Sequence, residues 1–579
     1  MQVLAFQKGS RSNILAVFLL GMMAIFGVRL FYLQIIKHDD YVKQAAAEQI
    51  KPLTIPAKRG LLYALDGTTP VPLVINQTVY TMFADPTMVT DKGKVLDTIR
   101  KVAGGNLRPK LDDLLNRTDT RYQILGTKLS RTQAQMIKDA KLEGIGFQET
   151  IQRVYPEGSL AAQTLGFVNA EGQGQYGVEE ELNDRLTGHD GLLKSVTDVS
   201  GVPLTIGNQN INKPAKDGDN IVLTIDRNIQ AYTEKALAAG LQKSGATNGS
   251  AIVMDPQTGK VMAMANLPTY DPSNFGNVQD GSDFQNAVIS VPYEAGSVVK
   301  SLTIATGIDK GVITPDSTYV NRGTIQVDDT TIQNASKTEA LGTQTMQTAL
   351  TDSLNTGMVT VAERLGDGMN ITQNARNTIF DYFHNRFGFG QLTGIELAGE
   401  SPGTIIGPGN AQGNAVRYSN MVFGQGMDIT MLQMSAAFST IINGGQYHEP
   451  TIVDGTVDGD GNLVPASSKP SRQVIKPATS AQVKDMLVVD RHGNGAKDPA
   501  GYQVGGKTGT AQALINGQYS FTQTVGSYIG FGGSDEARYV IMIQVSGKGK
   551  NLQGAHDASP IFGDISNWLI NYLKLQPKG

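Results

Sequence analysis

Residues 14 to 28 read ILAVFLLGMMAIFGV without one polar side chain, and after Arg29 the apolar run resumes as LFYLQII, ending at Ile36. A helix of about 20 residues crosses the hydrocarbon core of a bilayer. Ile14 to Ile36 is therefore long enough to span, with Arg29 snorkelling to an interface. This feature constrains the chain most, because it ties one end to lipid and leaves everything after it to fold outside. The alternative is a cleaved signal, for which the small residues Ala45 to Ala47 offer a site; the length of the run favours an anchor. Lys8 and Arg11 precede the span, while Arg29, Lys37 and Lys43 lie on or after it, so the positive-inside count leaves orientation open.

The 579 residues exceed what one core can serve, which predicts two or three domains. A hydrophobic fraction of 40% with 18% charged residues suits a folded chain. The net charge of -4 gives no reason to expect a nucleic-acid partner. With no cysteine, disulfides, thiolate nucleophiles and cysteine-ligated metals are excluded. The 6 histidines are scattered and form no H-E-x-x-H pattern, so no metal site is expected and Ser-His-Asp chemistry has few candidates.

Up to about residue 220 the elements are short and mixed. QTVYTMFADP (77–86) reads as a strand, and GKVLDTIRKVAG, KLDDLLNRT and RTQAQMIKDAKLEG as helices. This reads as a stalk or docking module. Then Val222 to Ile225 reads as a strand, Asp226 as an N-cap, and a helix follows with Ile229, Tyr232 and Ala236 on one face. SAIVMDPQTGKVMAMAN is a hairpin, SYIGFGG and RYVIMIQVSG form a second strand pair, and Asp454 to Ser471 reads as an exposed loop or hairpin. Ser559 is read as the cap of a last helix, with Pro560 at its first position and Ile561, Ile565, Trp568, Leu569 and Tyr572 as its stripe. Strands open and close this region and helices fill its middle. That order fits an α+β fold, an antiparallel sheet covered by helices.

Three short motifs carry chemistry. GYQVGGKT (501–508) matches a Walker loop in spacing, but Gly509 follows at once and no helical stripe succeeds it. A strand edge is the better reading, with Gly505, Gly506 and Gly509 admitting backbone to a ligand while Lys507, Thr508 and Thr510 present polar groups. Asn516-Gly517 then marks a hairpin turn. In SVVK, Ser297 lies in the first turn of a helix with the stripe Val298, Leu302, Ala305 and Ile308, and Gly311 can end it. Lys300, three residues on, shares the face of Ser297. A serine needs a base, and a lysine serves if burial or a second cation such as Lys507 lowers its pKa. In SLN, Ser353 can relay a proton and Asn355 can hold an amide, at a junction between two helices.

The ordered set S-x-x-K, S-x-N, K-T-G occurs in serine acyltransferases of the penicillin-recognising kind. The chain resembles a class B penicillin-binding protein, a membrane-anchored D,D-transpeptidase of peptidoglycan synthesis. Beyond the motifs, the resemblance rests on PAKRG (56–60), RVYPEGSLAAQTLGFV (153–168), GQYGVEEELNDRLTGHDG (174–191), TIDRNIQ, VMDPQTGKVMAMANLPTYDP, YEAGSVVK, FGFGQLTGIELAGE, VFGQGMDITMLQMSAAFSTIINGG and GGKTGTAQ. It departs after Gly60, where LLYALDGTTPVPLVIN stands in place of the family's D-R-N-G-x-x-L-A pattern. The resemblance implies a cytoplasmic tail over 1–12, an anchor over 13–36, a membrane-proximal pedestal of dimerisation type over 37–220 and a transpeptidase domain over 221–579. It places the main body outside the cytoplasmic membrane of a bacterium. It implies Ser297 as nucleophile, Lys300 as base and Ser353 as relay. Asn355, Lys507, Thr508, Gly509 and Thr510 would bind a stem peptide ending in D-Ala-D-Ala, with backbone amides of Ser297 and Thr510 as oxyanion hole. No cofactor is implied. β-Lactams are the implied inhibitors, and a SEDS-type glycosyltransferase with other wall-synthesis or division proteins the implied partners. Division duty is favoured over elongation.

Two rivals stand beside this. A β-lactamase or D,D-carboxypeptidase would use water as acceptor. The class A deacylating pattern E-x-x-x-N is absent after Ser353, where Glu363, Glu396 and Glu400 are followed four residues on by Asp367, Glu400 and Thr404. A β-lactam sensor or scaffold is the other rival. All three motifs are intact, so loss of activity is not written in the sequence, and the tail before the span is too short for a cytoplasmic signalling domain, which counts against a sensor.

Overall fold

The computed structural model describes residues 11–41, 50–196, 211–335, 338, 340–515 and 518–578. Ala45 to Ala47, Lys8, Lys43 and the Asn516-Gly517 turn lie outside the described residues. The chain divides into two compact units, residues 1–59 with 187–218, and residues 60–186 with 219–579.

In the first unit, Arg11–Phe31 is an α-helix continued by a π-helical turn, Tyr32–Ile36. Together they are long and apolar enough to cross a membrane, and no side chain in them is buried. Such a helix fits a single-pass membrane anchor. The unit also holds a three-stranded antiparallel sheet, Ile50–Ile55, Gly191–Val196 and Ile211–Lys213 in that order.

The second unit is built on two larger sheets. One has seven strands. Leu463–Pro465, Val453–Val457, Ile221–Asp226, Leu62–Asp66, Thr69–Ala84 and Gln123–Leu129 lie in that order, with Ile145–Val154 also paired to Thr69–Ala84. The divergent LLYALDGTTPVPLVIN stretch forms its central hairpin, turning at Gly67 with φ +64°. The three helices expected here form at Lys92–Ala103, Leu111–Leu115 and Arg131–Asp139. The first is capped by Asp91, and the last by a Ser130/Gln133 capping box. The 454–471 stretch is a hairpin in this sheet. The strand at 221–226, expected to open the helix-covered sheet, instead joins this one, parallel to Leu62–Asp66. All its residues are buried, as a strand covered on both faces requires.

Two stretches of family resemblance meet in a buried ion pair. Arg153 Nε lies 2.7 Å from Glu179 Oε1, with side chains 5% and 0% exposed. Arg153 also donates to Gly60 O and Asn76 Oδ1. Removing one partner of such a pair strands a buried charge, at about 3–5 kcal/mol. Glu179→Ala is therefore expected to lower the free energy of unfolding by about that amount, measured by urea denaturation.

The second sheet has strands β1 (Asn248–Met254), β2 (Val261–Leu267), β3 (Gln503–Ile515), β4 (Gln518–Gly533) and β5 (Ala537–Ser546). They lie in the order β2-β1-β5-β4-β3, all antiparallel. The helices that matter to it are α1 (Arg227–Ser244), α2 (Lys300–Asp309), α3 (Met346–Thr351), α4 (Asn355–Arg364), α5 (Pro477–Gly493) and α6 (Ser559–Tyr572). Period-two alternation splits β5 between two cores. Tyr539, Ile541 and Ile543 pack with α1 and α6 on one side, while Val540 and Met542 join the core containing α2 on the other. Asp226 caps α1 by accepting from the N–H groups of Asn228 and Ile229. Ser559 is not a cap. It is the first residue of α6, and a π-helical turn, Gly554–Ala558, feeds into the helix without a side-chain cap. The stripe holds, with Ile561, Ile565 and Leu569 buried and Trp568 stacked on Tyr572.

Candidate active site

Ser297 lies in a 3-10 turn, Gly296–Val299, that runs directly into α2. The apolar stripe predicted one buried face. Every residue of α2 from Lys300 to Asp309 is in fact buried, because the helix passes through the core rather than over it. Gly311, with φ +72°, ends it as expected. Gly296 has φ +63°, and a Cβ there would sit 3.1 Å from Thr510 O, so the turn carrying the serine abuts β3. Gly424 is held equally close, since its Cβ would fall 2.0 Å from Gly296 O.

Ser353 sits between α3 and α4 with φ +55°. A non-glycine residue in that region costs about 1–3 kcal/mol and persists only where its surroundings impose it. Here Lys300 Nζ donates to both the carbonyl oxygen and Oγ of Ser353, the latter at 3.0 Å. The base expected for Ser297 is therefore hydrogen-bonded to the relay residue. Asn355 starts α4 and donates to Gln333 O at 2.8 Å.

The GGKTGT stretch is an edge strand, as its context indicated, and no helix opens after Lys507. Its glycines serve a different purpose from the one expected. A Cβ on Gly505 would strike the Phe531 ring at 2.6 Å, and one on Gly506 the Tyr528 hydroxyl at 2.5 Å. At Gly509 it would meet Ser527 Oγ at 2.4 Å, with Ala295 O and Val298 Cγ1 both at 3.0 Å. They admit neighbouring protein, and Gly509 specifically lets β3 lie against the nucleophile turn. Gly509→Ala is expected to push these apart and slow the acylation of Ser297 that the resemblance implies by about 10²-fold, since an ångström of misplacement has that effect. Stopped-flow acylation rates check it.

Ser297, Lys300, Ser353, Asn355, Thr508 and Thr510 line one cavity of about 250 Å³. Lys507 and Gly509 do not. Lys507 is fully buried behind the cavity, its Nζ 3.4 Å from Thr508 Oγ1 and 3.5 Å from Asp490 Oδ2. The Thr510 hydroxyl accepts from Gly554 N–H at 3.2 Å. A larger cavity of about 640 Å³, lined by Glu294, Arg417 and Asp428 among others, contains no residue of the three motifs.

Sequence reasoning missed four contributors. Asp352, Phe423 and Gln425 line the cavity, and Asp490 stands behind it. The FGQG run at 423–426 was the available signal for two of them, since Gly424 must pass over Gly296. Asp490 had none: it follows an apolar run on α5 and reads as an ordinary helix residue.

The electrostatics suit a lysine base. Burial first, and then the Lys507 charge, hold Lys300 well below the usual lysine range, against an opposing pull from Asp490. Burial pushes Asp490 up to about 6 although Lys507 and Lys300 draw it down. The three glutamates considered for a deacylating role do not line the cavity. Glu396 pairs with Lys469 at 2.7 Å, and Glu400 accepts from Thr393 N–H and Oγ1. Glu363, pushed up to about 7 by burial, is held on α4 outside the lining.

Residues 249–567 match the penicillin binding protein transpeptidase domain, and residues 54–223 the penicillin-binding protein dimerisation domain. Penicillin-binding protein PbpB of Mycobacterium tuberculosis is 30% identical over 95% of this chain and 83% of its own length. Peptidoglycan D,D-transpeptidase FtsI of Escherichia coli is 27% identical over 97% of this chain and 90% of its own. The solved structure of a peptidoglycan synthetase from Bifidobacterium adolescentis superposes with TM-score 0.71 at 26% identity, covering 92% of this chain and 98% of that one. Penicillin binding protein 3 of Mycobacterium tuberculosis, complexed with aztreonam, gives TM-score 0.67 at 26% identity, covering 91% and 98%. With both domain types matched along one chain, and the serine, lysine and threonine motifs drawn to one cavity, the chain belongs to the penicillin-binding protein transpeptidase family.

Proposed function

We propose that this chain is a peptidoglycan D,D-transpeptidase that cross-links stem peptides through an acyl-enzyme on Ser297 and is acylated there by β-lactams. The observation that carries this is the convergence of three sequence-distant motifs on one cavity, where a lysine lowered in pKa by burial lines the same wall as the serine. Neutral Lys300 takes the Ser297 hydroxyl proton as Oγ attacks the penultimate D-Ala carbonyl carbon. Ser353, already bonded to Lys300, passes a proton to the departing amine of the terminal D-Ala. An acceptor amine then attacks the ester, a C–N bond forms, the C–Oγ bond breaks, and one amine proton returns to Oγ. The backbone N–H groups of Ser297 and Thr510 serve the oxyanion. Asn355 holds the donor's amide, Thr508 and Thr510 hold its terminal carboxylate, and Lys507 adds positive potential from behind.

The remaining assignments are a tail over 1–12, an anchor over 13–36, a pedestal over 37–220 and the catalytic domain over 221–579. The N-terminus is cytoplasmic and the catalytic domain lies outside the cytoplasmic membrane, where its substrate is. The working partner is a SEDS-type glycosyltransferase, met through anchor and pedestal, with division the favoured duty. Co-purification of that glycosyltransferase with the full-length protein, but not with an anchor-deleted one, is the expected result; equal recovery contradicts it.

The activity is tested with a synthetic pentapeptide ending in D-Ala-D-Ala and an amine acceptor. Release of D-Ala with formation of the new amide is expected. Release with only the hydrolysed tetrapeptide would make the protein a carboxypeptidase.

A further inference from the structure

The two motif lysines are both fully buried, and Asp490 supplies the carboxylate beside them. Its side chain is 1% exposed, and Oδ2, 3.5 Å from Lys507 Nζ, has no hydrogen-bond donor. Oδ1 accepts from Asn494 Nδ2 at 2.8 Å. Thr508 lines the reaction cavity and also a second cavity of about 110 Å³ whose wall includes Asp490. The carboxylate thus stands directly behind the strand that carries the K-T-G motif.

The charges around it are few. Lys507 faces it from β3 and Lys300 from α2. Tyr528, on β4, is held neutral by burial. The adjacent Arg491 already has its own counter-charge. Its Nε and Nη2 bond Asp498 at 2.7 and 2.6 Å, and Nη1 bonds the Tyr528 hydroxyl. One carboxylate therefore serves two buried lysines. It cannot balance two ammonium groups, and among the described residues its one ion pair is with Lys507.

We propose that Asp490 is a positioning residue that holds Lys507 as a cation behind the reaction cavity and leaves Lys300 as the neutral member of the lysine pair. This rests on the acyl-enzyme reading above. It accounts for a chemical requirement of that reading: one lysine must be a base and the other a cation at one pH. Burial alone disfavours the charge on both; a carboxylate on the Lys507 side breaks the symmetry.

Asp490 opposes the loss of charge at Lys300, so removing that carboxylate moves the Lys300 titration to lower pH. The test is the pH profile of acylation by a fluorescent penicillin, measured on the full-length protein in detergent. Asp490→Asn is expected to move the rising limb, which Lys300 sets, to lower pH by about 1–3 units, the usual effect of one opposite charge at close range. Asn494→Ala, at an exposed position, removes a donor that keeps Asp490 ionised. It is expected to move that limb the same way by less. A helix residue with only a packing role would change melting temperature and amplitude without moving the limb. Folded Asp490→Asn protein with the wild-type profile overturns the inference. If that variant does not fold, an Asn494→Ala profile superimposed on wild type overturns it. Wild-type protein that takes no label at all refutes the acyl-enzyme reading instead, so the two failures are distinguishable.

Discussion

Lys300→Met is expected to slow acylation of Ser297 by about 10²–10⁴-fold, the range a positioned general base contributes. The wild-type rate should rise with pH as Lys300 loses its proton, through a pKa held well below the ordinary lysine range by burial and by Lys507. In the variant that limb disappears. The fold should survive, because methionine fills a similar volume and removes a group whose charge the core disfavours. The sign follows from linkage. The unfolded chain binds more protons at this position than the folded one does, so below pH 10.5 the lysine lowers stability, most at low pH. Melting at neutral pH should therefore be unchanged or higher, offset by loss of the two bonds to Ser353. Acylation of a folded Lys300→Met protein at the wild-type rate would remove Lys300 from the mechanism.

Ser297→Ala should abolish covalent labelling outright, since it deletes the atom that forms the ester. Lys300→Met slows a step; Ser297→Ala leaves no step to slow. On a denaturing gel the wild type should give a band that persists through an hour's chase. Slow loss is expected because Glu363, Glu396 and Glu400 all lie outside the cavity lining, leaving Asp352 as the carboxylate on its wall. Label that fades within minutes would move the protein to the hydrolases. A retained band in Ser297→Ala would place the nucleophile elsewhere.

The sequence was most informative where geometry is local. The spacing of Ser297 and Lys300 needs only one helical turn, and the strand character of GKTGT needs only the missing helix after it. The capping of α1 by Asp226 is likewise set by a few adjacent residues. Long-range pairing was less legible. Nothing in Ile221–Asp226 says which of two sheets will take it, because a strand with an apolar core of this kind suits either. The glycines of β3 could be read as ligand-facing until Phe531, Tyr528 and Ser527 were placed against them. Asp490 was invisible for the same reason. Its role depends on Lys300 and Lys507, which arrive from two other elements, and a carboxylate on a helix is ordinarily solvated.

The most direct test is peptide mapping by mass spectrometry after the full-length protein is trapped with benzylpenicillin. One adduct, on the fragment carrying Ser297, is the expected result. An adduct on any other residue, or an unmodified Ser297 fragment from folded protein, would contradict the account.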